Sequence, residues 1–213
     1  MPRSALSSRG GRMPRPARRA QLLTAAQEIF VSQGFHAAAM DDIADHAGVS
    51  KPVLYQHFPS KLDLYLALLD AGASELVAKI RAALESTRDN RVRVQAAVSV
   101  YFDFIDDSRE SFRLLFESDL VNEPAVRYRV QRADDECADL LAKVIAEDTG
   151  LGFPEAILLA FGLIGMAQTA ARHWLRAGNG TITRPQAADL ISGLGWRGIS
   201  GFPAHGTRTR DHD

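Results

Sequence analysis

The chain has 213 residues, 25 lysines and arginines against 26 acids, nearly half apolar residues and a single cysteine. That length can bury a real core in one or two bodies, and the composition is that of an ordinary soluble globular protein. Lone Cys137 excludes an internal disulfide framework, fits a reducing cytoplasm and reads as a small buried hydrophobe. The longest uninterrupted apolar run, Ile157 to Ala167, is too short to span a bilayer, and no apolar signal-peptide core follows the N-terminal arginines. A cytoplasmic protein with no membrane partner is therefore expected. Charge is unevenly spread: residues 1–61 carry a net +4 and the remainder −5, and no acid precedes Glu28. A basic head on an acidic body points to a polyanionic partner for the head.

Residues 1–17 form a basic extension rich in Arg, Gly, Pro and Ser, with almost nothing to bury, so disorder is expected there. From Arg18, Leu22, Ala26, Ile29, Phe30 and Gln33 recur at helical spacing until Gly34. A second, short helix places Met40, Ile43, Ala44 and Ala47 on one face and ends at Gly48. A third starts at Ser50 as N-cap, tolerates Pro52 in its first turn and turns Leu54 and Phe58 inward. Ser60 and Asp63 form a capping box for a long helix carrying Leu64, Leu68, Leu69, Leu76, Ile80 and Leu84 to about Thr87. Further helices are predicted at 91–107, 109–121, 124–148, 154–177 and 183–198, with Thr183 and Gln186 opening the last and residues 199–213 a polar tail. No segment alternates as a strand does. The expected architecture is all-α, with a three-helix unit over 18–62 and a helical effector-binding and dimerisation domain over 63–198.

The chemistry concentrates in DIADHAGVSKPVLYQHFPSK, residues 42–61. Small Ala44, Ala47 and Gly48 let two short helices approach, and Val49 and Leu54 plug the space between them. This is how a helix-turn-helix holds its second helix out for a major groove. The outward side then shows Ser50, Lys51, Pro52, Val53, Tyr55, Gln56 and His57. Lys51 suits phosphate or guanine, Gln56 suits adenine, and Pro52 and Val53 suit a thymine methyl. Tyr55 and His57 suit phosphate, as does Lys61 beside the start of the long helix. A plain helical hairpin with a solvated face would show the same pattern.

The stretch from Arg18 to Leu69 resembles the N-terminal domain of TetR-family regulators: Gly34-Phe35, then DIA, AGVS, LY, HF and a lysine, all in register. One departure is Ala38 and Ala39, where that family usually has a Thr or Ser cap, a loss of about 1 kcal/mol. Three longer segments extend the resemblance to the actinobacterial FasR group of fatty-acid-synthase gene regulators: residues 41–69, YFDFIDDSRESFRLLFESDLVNEP and GLIGMAQTAARHWL. The resemblance implies a homodimer on a palindromic double-stranded operator, no enzyme activity and no cofactor. It also implies a hydrophobic effector, long-chain acyl-CoA, that relieves DNA binding. The alternative is a TetR-type repressor answering to a drug-like or aromatic compound.

Phe102, Ile105, Phe112, Leu115, Phe116, Phe161 and Ile164 supply an apolar set for an acyl chain, though a core would use the same residues. Gly162 and Gly165 each cost about 1 kcal/mol against alanine within a helix. Close helix approach, a passing ligand or dimer packing would each account for them, and Gly165 joins the expected ligand set. The resemblance places His173 and Trp174 at the dimer interface, with the aromatic as an anchor. His36, His46, His57 and His173 have no paired spacing, so no metal site is expected.

Overall fold

The computed structural model describes residues 13–107, 120, 122–178 and 182–199. Among them every regular element is an α-helix, as the spacing predicts. In chain order these are α1 Arg15–Ala37, α2 Met40–His46, α3 Lys51–His57, α4 Lys61–Glu85, α5 Asn90–Asp107, α6 Pro124–Thr149, α7 Phe153–Ala177 and α8 Arg184–Ile199. The helix expected at 109–121 lies outside the described residues, and with it Phe112, Leu115 and Phe116. Two compact units divide the chain between Tyr65 and Leu66. Helix α4 contributes its first turn to one and its remainder to the other.

In the first unit α1 begins earlier than the apolar spacing predicts. Prolines at its start cost nothing where backbone N–H groups have no partner. Gly34, at φ 77° and ψ 165°, breaks it as expected, and one last turn follows. Leu22, Ala26, Ile43, Leu54 and Leu64 are fully or almost fully buried and form the core. Phe30, Phe35 and Tyr65 close it, their ring centroids 5.3–5.7 Å apart. The capping box is present: the Asp63 N–H donates to Ser60 Oγ at 3.0 Å. Ser50 holds the extended N-cap backbone, but its side chain makes no cap bond, contrary to expectation.

In the second unit α6 packs on α7 through Ala138, Ala142, Ile145, Ala156 and Ala160, small side chains that let two backbones approach. Helices α5 and α8 are tied by Arg184, which pairs with Asp103 at 2.9 Å and Asp106 at 3.4 Å, and by Gln95, which donates to Asp189 at 2.9 Å. Trp174 belongs to this core and is no exposed anchor. Its ring lies 5.8 Å from that of Phe102, and its Nε1 donates to the Ile182 carbonyl at 2.8 Å. His173 is exposed.

Helix α7 meets the length and apolarity of a membrane span, with mean hydropathy 1.4 over its best window, although its uninterrupted apolar run is short. Only 17% of that window is buried. Its open side carries Leu158 and Phe161, while α8 leaves Leu190 and Leu194 open as well. A Cβ added at Gly162 or Gly165 would meet nothing within 4 Å among the described residues, so neither glycine serves close approach to a described helix.

Candidate nucleic-acid interface and effector cavity

The turn between α2 and α3 depends on Gly48, whose φ of 65° lies in the left-handed region where a side chain is strained. The Gly48 and Val49 N–H groups donate to Asp45 and Ala44 carbonyls at 3.0 Å each, closing the end of α2. Gln21 Nε2 donates to the Ala47 carbonyl at 2.8 Å and ties α1 to the turn. With Leu54 and Phe58 buried beneath it, α3 leaves Ser50, Lys51, Pro52, Tyr55 and Gln56 exposed, and Val53 and His57 half-buried. All seven side chains that the helix-turn-helix reading turns outward are thus at least partly exposed.

Two of the expected contact residues are already engaged. Lys51 pairs with Asp41 at 2.7 Å, both partners more than half exposed, so a phosphate can take the lysine at little cost. The Asp41 hydrogen bond and charge also hold the Lys51 ammonium above its ordinary value. Lys61 is different. Its three ammonium hydrogens face the carbonyls of Phe35, His36 and Ala38 at 2.7, 3.3 and 2.7 Å, and it lies 4.6 Å from the Phe35 ring centroid. An ammonium has three donors. Without DNA, Lys61 therefore caps the end of α1 and the segment before α2.

The sequence reading missed the part of the surface that α1 supplies. Met13, Arg15 and Arg18 line an open depression of about 460 Å³ together with Val53, Gln56 and His57. Arg19 lies 4.3 Å over the Phe58 ring, and its Nη1 reaches the His57 carbonyl at 3.5 Å. Partial burial first, then the charges of Arg15, Arg19 and Arg18, hold the His57 imidazole below its ordinary value. Three arginines beside a neutral imidazole make this rim suited to a polyanion. Their cluster was visible in the sequence as the acid-free run before Glu28.

The second unit contains an apolar cavity of about 50 Å³. Its wall comes from residues three or four apart on five helices: Leu76 and Ile80 of α4; Val94, Ala97, Val98 and Tyr101 of α5; Asp134, Cys137 and Leu141 of α6; Leu163, Ile164, Ala167 and Gln168 of α7; and Ile191 and Gly195 of α8. Of the expected ligand residues that the structure describes, Ile164 is on this wall. Phe102 and Ile105 are fully buried away from it, while Phe161 and Gly165 lie on the open side of α7. Gly195, unmarked in the sequence reading, is where α8 approaches closely. A Cβ there would stand 3.1 Å from Leu163 Cδ2 and 3.2 Å from Met166 Cε. Burial pushes the Cys137 thiol up to about 12, so it behaves as the inert hydrophobe expected.

A helix-turn-helix in one unit and an apolar pocket lined by five helices in the other are the build of a helix-turn-helix transcription regulator. Residues 22–68 match the model of the bacterial regulatory proteins, tetR family. Over 195 residues the chain is 47% identical to the HTH-type transcriptional activator FasR of Mycolicibacterium smegmatis, covering 92% of this chain and 89% of that one. The chain belongs to the TetR family. Among solved structures, a TetR-like transcriptional regulator from Rhodococcus sp. RHA1 superposes with a TM-score of 0.71 at 30% identity, over 89% of this chain and 100% of that one. The transcriptional regulator FadR from Bacillus subtilis, in complex with stearoyl-CoA, gives 0.69 at 15% identity over 83% and 96%, a likeness of fold. These proteins are regulators and not enzymes, and TetR regulators bind DNA as dimers.

Proposed function

We propose that this protein regulates fatty-acid biosynthesis genes, binding a palindromic operator as a homodimer in the cytoplasm and leaving it when long-chain acyl-CoA enters the second unit. The observation that carries the reading is 47% identity across nearly the whole chain to FasR. An apolar cavity suits an alkyl chain, each buried methylene contributing about 0.8 kcal/mol. The stearoyl-CoA complex of FadR shows that the same fold can hold a long acyl thioester.

The cavity is far smaller than the roughly 300–1,000 Å³ of ordinary ligand pockets. Entry of an acyl chain must part the helices around it. Leu76 and Ile80 place α4 on the wall, and α4 starts at Lys61, which holds the end of α1. Displacing α4 is then the step that reaches the DNA-reading unit. A ligand acts only by binding the DNA-incompetent state more tightly. Operator binding titrated with acyl-CoAs of increasing length tests this: release should strengthen from eight to eighteen carbons. Equal release by short and long chains, or by none, removes the lipid reading. Asp134 on the wall favours the second reading, a drug-like effector with a polar or cationic group, and release by such compounds alone would establish it.

A further inference from the structure

The cavity wall is not apolar throughout. Tyr101 lies on it, is 5% exposed, and its hydroxyl is buried with no hydrogen-bond partner among the described residues. Gln168 and Asp134 lie on the same wall, with Gln168 Nε2 donating to Asp134 Oδ1 at 2.7 Å. A phenylalanine at 101 would fill the same space without burying an unpaired hydroxyl, which costs free energy for as long as the cavity stays empty. Tyrosine at this place is explained when something that enters the cavity accepts a hydrogen bond from it.

We infer that Tyr101, beside the Gln168–Asp134 hydrogen bond, forms a polar node in which the Tyr101 hydroxyl donates to the carbonyl oxygen of the effector. This rests on the acyl-effector reading above and gives it a chemical end: the apolar wall takes the alkyl chain, and the node takes the carbonyl. Burial keeps the Tyr101 phenol protonated, since its pKa is raised, so the hydroxyl is a donor at any working pH. The Gln168–Asp134 pair supplies the polar part of an otherwise greasy wall. The chemistry recognised is a carbonyl oxygen on a long alkyl body. A thioester and a free fatty acid both supply one.

The test is calorimetric titration of the full-length protein with stearoyl-CoA, with the S-octadecyl thioether of CoA, which lacks the carbonyl oxygen, and with stearate. The wild type is expected to bind the thioester about tenfold more tightly than the thioether, the scale of one neutral hydrogen bond. Tyr101→Phe should bind both alike, at the thioether's affinity. The ligand-free Tyr101→Phe protein should also melt about 2–4 °C higher, because an unpaired buried hydroxyl is gone; a structural hydroxyl would give a lower melting point. Stearate that binds with the same dependence on Tyr101 also supports the node and makes the free acid a carrier. Equal binding of thioester and thioether by the wild type overturns the node and leaves the acyl reading standing. Binding of none of the three overturns both.

Discussion

Lys61 and Gln56 are polar side chains five residues apart, and the structure gives them different work. Gln56 is exposed at the rim of the depression beside Arg15 and Arg18, free to reach a base edge. Lys61 is bound to three backbone carbonyls. Lys61→Met should therefore destabilise the protein by about 1.5–3 kcal/mol, the range for hydrogen bonds to a charged donor, and leave operator preference unchanged. Gln56→Ala should leave stability alone and change which operator is preferred. Chemical denaturation and binding to a set of operator variants separate the two; a changed preference in Lys61→Met would return that lysine to the interface. His57 adds a pH effect whose sign follows from its lowered value. As pH falls through about 6.5, the unfolded imidazole takes up a proton before the folded one does, so stability drops with pH in that window. The melting point of the wild type relative to His57→Gln should fall between pH 7.5 and 5.5. A pH-independent difference would mean that burial and the three arginines leave the imidazole unperturbed.

At the scale of elements, α7 and α8 explain themselves only in part within one chain. Leu158 is 72% exposed and Leu194 60%, on helices whose opposite sides are packed. Burying such side chains against a second copy is worth about 1.5–3 kcal/mol each. Replacing both leucines by glutamate should give a monomer by light scattering at micromolar concentration, with operator binding lost; a dimer in that variant would place the interface elsewhere. How far these elements were legible in the sequence depended on how local the constraint was. The turn at Gly48, the stop at Gly34 and the Ser60–Asp63 cap each follow from a requirement on one or two residues, and the structure has all three. The cavity follows from side-chain direction on five helices at once. Phe102 and Ile105 looked apt because they are large and apolar, yet adjacent residues on a helix point about 100° apart. Tyr101 faces the cavity and its neighbour Phe102 the core. The small residues that make room, Ala97 and Gly195, carry no mark of their own in the sequence.

For the whole molecule, regulation requires that the contracted cavity and the DNA-binding form be the same state, because coupling between two sites is a difference in ligand affinity between two global states. The cavity of about 50 Å³ makes that idea testable without knowing the effector's exact length. Ala97 lies on the wall and is 5% exposed. Ala97→Leu fills the space an alkyl chain would enter, at a cost of up to about 1–3 kcal/mol if the wall must yield. Because the added side chain occupies the cavity without parting α4 from its neighbours, the variant should keep operator affinity within a few-fold of the wild type. It should also need much more stearoyl-CoA for release. Gly165→Leu is the control: its Cβ meets nothing within 4 Å among the described residues, so its release curve should overlie that of the wild type. The decisive comparison is operator occupancy against stearoyl-CoA concentration for the three proteins. A release curve for Ala97→Leu that overlies the wild type would show that the effector acts somewhere other than this cavity. Loss of operator binding with no effector present would show instead that filling the cavity mimics the ligand, and that the contracted state is the one that binds DNA.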